Sequence, residues 1–250
     1  MKKILKYYKE TLKIDLSDLT HPISVKINSI PYSSKIDQKV KKHHLRIFGL
    51  SLMDIKDYDD NIYDFYLKRI VNNSDISIHG HIFEINQCAH FIRTSSENKL
   101  EFKFGDANQN EPDFIVENIG FEITSIRFLE SSDKSNPGRK LLNKFINKNK
   151  KEYANENTVL IIDINQPSYH TIKKEKRVAP TLDEVREIIK KESKFGLVLY
   201  FMEWIDNDND NDNLLFKGTT YSDYSENCTT ELKSLMEKHI YKGDILISPN

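Results

Sequence analysis

The stretch at residues 111–126, EPDFIVENIGFEITSI, decides how this chain is read. Two largely apolar runs flank a tight turn at Asn118–Gly120, which predicts a β-hairpin. Asp113 and Glu122 stand at the ends of that hairpin. Carboxylates are disfavoured in strands and costly to bury. Side chains alternate along the second strand, so Phe121, Ile123 and Ser125 point one way and Glu122 and Thr124 the other. A short hairpin brings Asp113 beside Glu122. Two carboxylates at that spacing repel unless one is protonated or a cation lies between them. Oxygen ligands of this kind suit Mg²⁺ or Mn²⁺, which keep several waters and bind phosphate groups.

The flanking segments place the hairpin in a larger pattern. Upstream, HIFEINQCAHFI (81–92) has Ile82, Ile85, Ala89 and Ile92 at helical spacing. The preceding ISIHGHI also alternates as a strand would, so the helix start stays open. KLEFKFG (99–105) alternates as a half-buried strand ending at Gly105. Downstream, Pro137 and Gly138 break the chain before a helix in RKLLNKFINKNKKEYANE. TVLIIDI (158–164) is a continuous apolar run, as in a central strand covered on both faces. TLDEVREIIKKE (181–192) opens with a capping box from Thr181 to Glu184, and FGLVLYFMEW (195–204) is a further buried strand. The expected fold class is α/β, a mixed central sheet flanked by helices in α-β-β-β-α-β order.

Residues 75–250 form this domain, and residues 1–74 an N-terminal extension, helical and irregular. Within the extension, 1–13 and 57–71 have helical spacing, whereas 20–50, with Pro22 and Pro31, reads as short strands or loops. DNDNDNDN (206–213) lacks the glycine and glutamate of a calcium loop and reads as a solvated loop. KKEKR (173–177) reads as an exposed basic turn.

Bulk composition narrows the partners. Over 250 residues the chain is 38% hydrophobic and 30% charged, with a formal net charge of −1. Any nucleic-acid-binding surface is therefore local. The two cysteines, Cys88 and Cys228, match no ligand or redox spacing. Lys6, Lys9 and Glu10 interrupt the N-terminus before a signal-peptide core develops, and no run approaches the roughly 20 apolar residues of a membrane span. These features point to a cytoplasmic protein with no membrane association.

Pro112-Asp113, Glu122 nine positions later and Glu84 on the preceding helix together resemble the PD-(D/E)xK nuclease superfamily, over residues 79 to about 204. The resemblance implies a restriction-endonuclease-like core and an Mg²⁺- or Mn²⁺-dependent endonuclease acting on DNA or RNA. Asp113, Glu122 and Glu84 would hold the metal, assisted by the Ile123 carbonyl. Activity on double strands would call for a homodimer. The departure is Thr124, where the family pattern has lysine, and a hydroxyl cannot replace an ammonium. Either a lysine arrives from elsewhere, or the module is catalytically silent and binds nucleic acid or a protein partner.

The next helix offers that lysine. Lys140, Lys144, Lys148 and Lys151 form a stripe beside the apolar arc of Leu141, Leu142, Phe145, Ile146 and Tyr153. Lys144, at the edge of the buried face, is the expected catalytic lysine, with Arg139, Lys140 and Lys148 steering the phosphate backbone. An E-x-T strand followed by a helical lysine is also similar to the viral cap-snatching endonucleases, a branch that often carries a metal-binding histidine, and His79, His81 and His90 lie upstream. The competing readings are ordinary. In them Asp113 caps a turn after Pro112, Glu122 pairs with a helix lysine, and the lysines form a solvated face. In that case the chain is a small-molecule or structural α/β protein.

Overall fold

The computed structural model describes residues 5–71, 78–128, 136–172, 179–208, 213–240 and 245–247. The chain divides into two units, residues 1–93 with 206–215 and residues 94–205 with 216–250. The boundary expected at 74/75 falls within 72–77, outside the described residues, as does the basic turn at 173–177.

In the first unit the part up to Arg93 is helical, and 206–215 adds the adjoining ends of two strands. Helices α1 (Pro22–Ser29), α2 (Lys35–Tyr58) and α3 (Asp60–Val71) precede α4 (Ile78–Asn98), which the unit includes as far as Arg93. The strands or loops expected at 20–50 are therefore helices instead. Pro22 occupies the first position of α1, where its missing N–H leaves no bond unmade and its fixed φ starts the helix. Pro31 lies in the short 3₁₀ turn Ile30–Tyr32, and Ser34 then caps α2 by accepting the Asp37 amide at 3.1 Å.

In the second unit, strands β1 (Phe102–Phe104), β2 (Phe114–Val116) and β3 (Ile119–Ser125) follow α4. Helix α5 (Pro137–Asn149) then leads to β4 (Thr158–Asp163). A short helix, α6 (Asn165–Ile172), had no counterpart in the expected order. Pro167 in its first turn is a tolerated position. Helix α7 (Leu182–Glu192) starts at the expected capping box, with both Thr181 and Glu184 bonds present. Strands β5 (Leu197–Asp208) and β6 (Asn213–Tyr224), helix α8 (Thr230–Leu235) and strand β7 (Ile245–Ile247) complete the chain. The run expected as a solvated loop at 206–213 thus begins in β5 and ends in β6, with 209–212 outside the described residues.

The strands form one mixed sheet in sequence order, β1 to β7. The β1–β2 and β2–β3 pairs are antiparallel, and β3–β4 and β4–β5 are parallel. Every residue of β4 is buried, which explains its unbroken apolar run. Leu160 and Ile162 of β4 and Val198 and Tyr200 of β5 pack with Leu141 and Phe145 of α5 and Val185 and Ile189 of α7. Burying a side chain of this size contributes about 1.5–3 kcal/mol, so this layer fixes α5 on one face of the sheet.

That face is the one that matters for the site. In the β3–β4 register Glu122 pairs with Leu160 and Thr124 with Ile162. Paired residues of neighbouring strands project to the same side, so Glu122 and Thr124 lie under α5.

Candidate active site

The hairpin that carries the two carboxylates turns at Glu117–Asn118, because Val116 pairs directly with Ile119. Glu117 takes the left-handed conformation, φ 55°. Gly120, expected in the turn, is instead the second residue of β3. A Cβ there would lie 2.8 Å from Pro112 Cγ and 3.3 Å from Thr158, so glycine lets Pro112 settle onto the strand.

Phe114 pairs with Phe121, which sets Asp113 and Glu122 next along the same ladder. Asp113 Oδ2 accepts the backbone N–H of Ile123 at 2.7 Å. The carboxylate is thus anchored to the strand that bears Glu122. Glu122 itself is only 3% exposed. A buried charge needs a partner, and Lys148 of α5 supplies it through a direct ion pair with Glu122 Oε1. The sequence reading had assigned Lys148 to the phosphate backbone.

Lys144 lies one turn earlier on α5, half-buried. Burial first and then the Lys148 charge hold its ammonium below the ordinary lysine range, while Glu122 opposes them. Tyr153 completes the cluster by presenting its hydroxyl to Glu122. Burial, then Glu122, then Asp113 push that hydroxyl well above its usual value. Tyr153 had been placed on the apolar arc of the helix. Instead α5 ends at Asn149 with Lys150 as C-cap, and Tyr153 lies in the following turns. Lys151 likewise leaves the stripe.

The remaining predicted residues have other company. Lys140 donates to the Arg127 carbonyl at 3.1 Å, and its ammonium sits 4.4 Å from the Phe128 ring centroid. Arg139 is exposed at the start of α5, where its backbone N–H bonds the Asn136 cap. Glu84 belongs to the first unit. It accepts the Tyr66 hydroxyl at 2.9 Å and lies 3.9 Å from both Arg69 and His81. The sheet holds another buried carboxylate that the sequence did not single out, Asp163 at the end of β4. Arg127 at 2.5 Å and the Asn165 amide groups bond it, and burial raises its pKa against the pull of Arg127.

Among the described residues no group of three or more His, Cys, Asp or Glu side chains is arranged to hold a metal ion. Asp113 and Glu122 form a two-carboxylate set, which fits a hard cation that keeps several waters and takes further oxygens from a phosphate. Among the described residues no helix is long and apolar enough to cross a membrane. Comparison with protein-family models, with curated proteins and with solved structures returns no match.

Proposed function

We propose that this chain is a metal-dependent nuclease that hydrolyses phosphodiester bonds of DNA or RNA in the cytoplasm. The observation that carries the reading is the gathering of Asp113, Lys144 and Lys148 around the buried Glu122. The α-β-β-β-α-β run from Ile78 to Asp163 supports a restriction-endonuclease-like core around it. Asp113 and Glu122 would hold Mg²⁺ or Mn²⁺. When bound, the ion would lower the pKa of a water and neutralise charge at the phosphorus.

The chain's own residues divide the remaining work. The Ile123 amide fixes Asp113, and Tyr153 steadies Glu122. Lys144, whose ammonium gives up its proton more readily than an exposed lysine, is placed to accept a proton from the attacking water or to stabilise the developing oxyanion. It would thereby replace the lysine missing at Thr124. Lys148 and the exposed Arg139 add positive charge along α5 for the phosphate backbone. A homodimer would suit cleavage of both strands of a duplex.

A second reading draws on the Lys148–Glu122 pair. A glutamate already neutralised by an ammonium needs no metal, which favours a nuclease-like module that binds without cutting. One experiment separates the two. Single- and double-stranded DNA and RNA are incubated with Mn²⁺, Mg²⁺ or EDTA, with Asp113→Asn and Glu122→Gln beside the wild type. Metal-dependent product that disappears in both variants supports the nuclease. Binding without product on any substrate refutes it and leaves the silent module.

A further inference from the structure

A cleft of about 440 Å³ opens beside the carboxylate pair, and its walls differ chemically from the site they adjoin. Pro112 and Tyr153 belong to both. Pro112 precedes Asp113, and Tyr153 lines the cleft while its hydroxyl faces Glu122. With Ile115 they give the cleft an apolar, partly aromatic wall. The rest of the lining is rich in carboxamides, namely Asn118, Asn155 and Asn157.

Those amides retain unspent donors. Asn155 Oδ1 accepts the Asn157 N–H at 2.8 Å and the Thr158 hydroxyl at 3.3 Å, and Asn157 Oδ1 accepts the Thr229 hydroxyl at 2.7 Å. All three bonds use the carbonyl oxygen, so among the described residues each NH₂ group remains available, as does the whole side chain of Asn118 in the hairpin turn. Among the described residues no lysine or arginine lines the cleft, whereas Glu111 and Glu156 do. A phosphate group therefore meets no cation there and is repelled by the two glutamates. A flat, uncharged ligand with several hydrogen-bonding edges finds both a surface to lie on and donors to meet it.

We infer that this cleft receives an unpaired nucleobase from the nucleotide next to the phosphate held by the lysines, so that the substrate is single-stranded nucleic acid. The inference rests on the nuclease reading and extends it to the substrate. A paired base turns its hydrogen-bonding edge to its complement and stacks on its neighbours, so it can neither meet the amides nor lie against Tyr153. The chemical division is sharp. Phosphate goes to Lys144 and Lys148, and the base goes to Asn118, Asn155 and Asn157.

The test uses the full chain in EDTA, so that binding is read without cleavage. Fluorescence anisotropy compares a labelled oligonucleotide, single-stranded and as a duplex of the same sequence, in DNA and RNA forms. The single strand is expected to bind about tenfold more tightly, the size of one stacked base. Asn118→Ala and Asn157→Ala, each checked for an unchanged melting curve, lower single-strand affinity several-fold and leave duplex affinity unchanged. A 2-aminopurine in the strand loses fluorescence on binding as it stacks on Tyr153. Equal affinity for both forms, or asparagine variants that bind like the wild type, overturn the inference, as does the absence of binding to either form. Metal-dependent cleavage alongside equal affinities would leave the nuclease reading standing. Single-strand preference in a chain that cuts nothing would leave the cleft standing and remove the catalysis.

Discussion

Lys148→Met tests the electrostatics of the site most directly. Glu122 is 3% exposed and the Lys148 side chain 24%, so their ion pair is shielded on one side and wetted on the other. Removing one partner of a fully buried pair costs about 3–5 kcal/mol. Here Lys144 and Tyr153 stay beside Glu122, and Lys148 is partly solvated, so the loss is roughly 2 kcal/mol. For a chain of this length that lowers Tm by roughly 4–8 °C in EDTA. The same term has the opposite sign for metal binding. A divalent ion held by Glu122 would have to displace the ammonium in the wild type, whereas in Lys148→Met it would meet the carboxylate without that ion pair. Mn²⁺ should then bind about 30-fold more tightly, read by calorimetric titration at fixed pH and ionic strength. Saturating Mn²⁺ should also raise the Tm of the variant more than that of the wild type. Unchanged or weaker Mn²⁺ affinity would refute the reasoning, because it would mean that Lys148 and the metal do not compete for Glu122.

Three further outcomes follow from the same geometry. Lys144→Met should be more stable than the wild type at neutral pH and inactive. The folded pKa of Lys144 is lowered, so the folded state binds protons less readily than the unfolded state; wild-type stability therefore rises with pH from that folded value towards 10.5, and the gap to the variant closes there. Thermal melts across pH check this, and a gap that widens with pH would contradict it. Gly120→Ala places a methyl 2.8 Å from Pro112 Cγ and 3.3 Å from Thr158. It should destabilise by about 1–3 kcal/mol in denaturant titrations and lower cleavage as Asp113 shifts. Arg186→Met breaks a bidentate pair with Asp223, at 3.1 and 3.3 Å, and a guanidinium lying 5.0 Å from the Tyr200 ring centroid. The loss should be about 3 kcal/mol by chemical denaturation, with cleavage per folded molecule unchanged.

What was legible in the sequence is what local chemistry encodes. The Thr181–Glu184 box fixes the start of α7 within four residues, and the unbroken apolar run of β4 announces a strand covered on both faces. The alternation around Glu122 correctly placed it with Thr124 on one face. The prolines at 22 and 31 misled because a breaker inside a helix is a starter at its first position. Tyr153 was assigned to a helix because apolar spacing continued past Asn149, although the chain had already turned. Which lysine meets Glu122 was harder still. Lys144 and Lys148 sit one turn apart on the same flank, and only the contact between α5 and β3 distinguishes them. Long-range contacts of that kind leave no trace in spacing.

The far end of α5 gives those lysines a mechanical dependence. Gly138 packs so tightly that a Cβ would lie 1.9 Å from the Pro180 carbonyl, and the Asn136 side chain donates to the Ala179 carbonyl at 2.9 Å. The start of the helix is held there, against the residues that lead into α7. Lys148 is ten residues further on, about 15 Å along the axis. A substitution that tilted the helix by about 5° about that end would move it by about 1.3 Å over that length. Displacements of that size in a reacting group can lower a rate about a hundredfold. The start of α7 therefore acts as the fulcrum of a lever whose working end is the charge on Glu122. Changes near Pro180, at the opposite end of α5 from Glu122, would be felt at the Lys148–Glu122 pair.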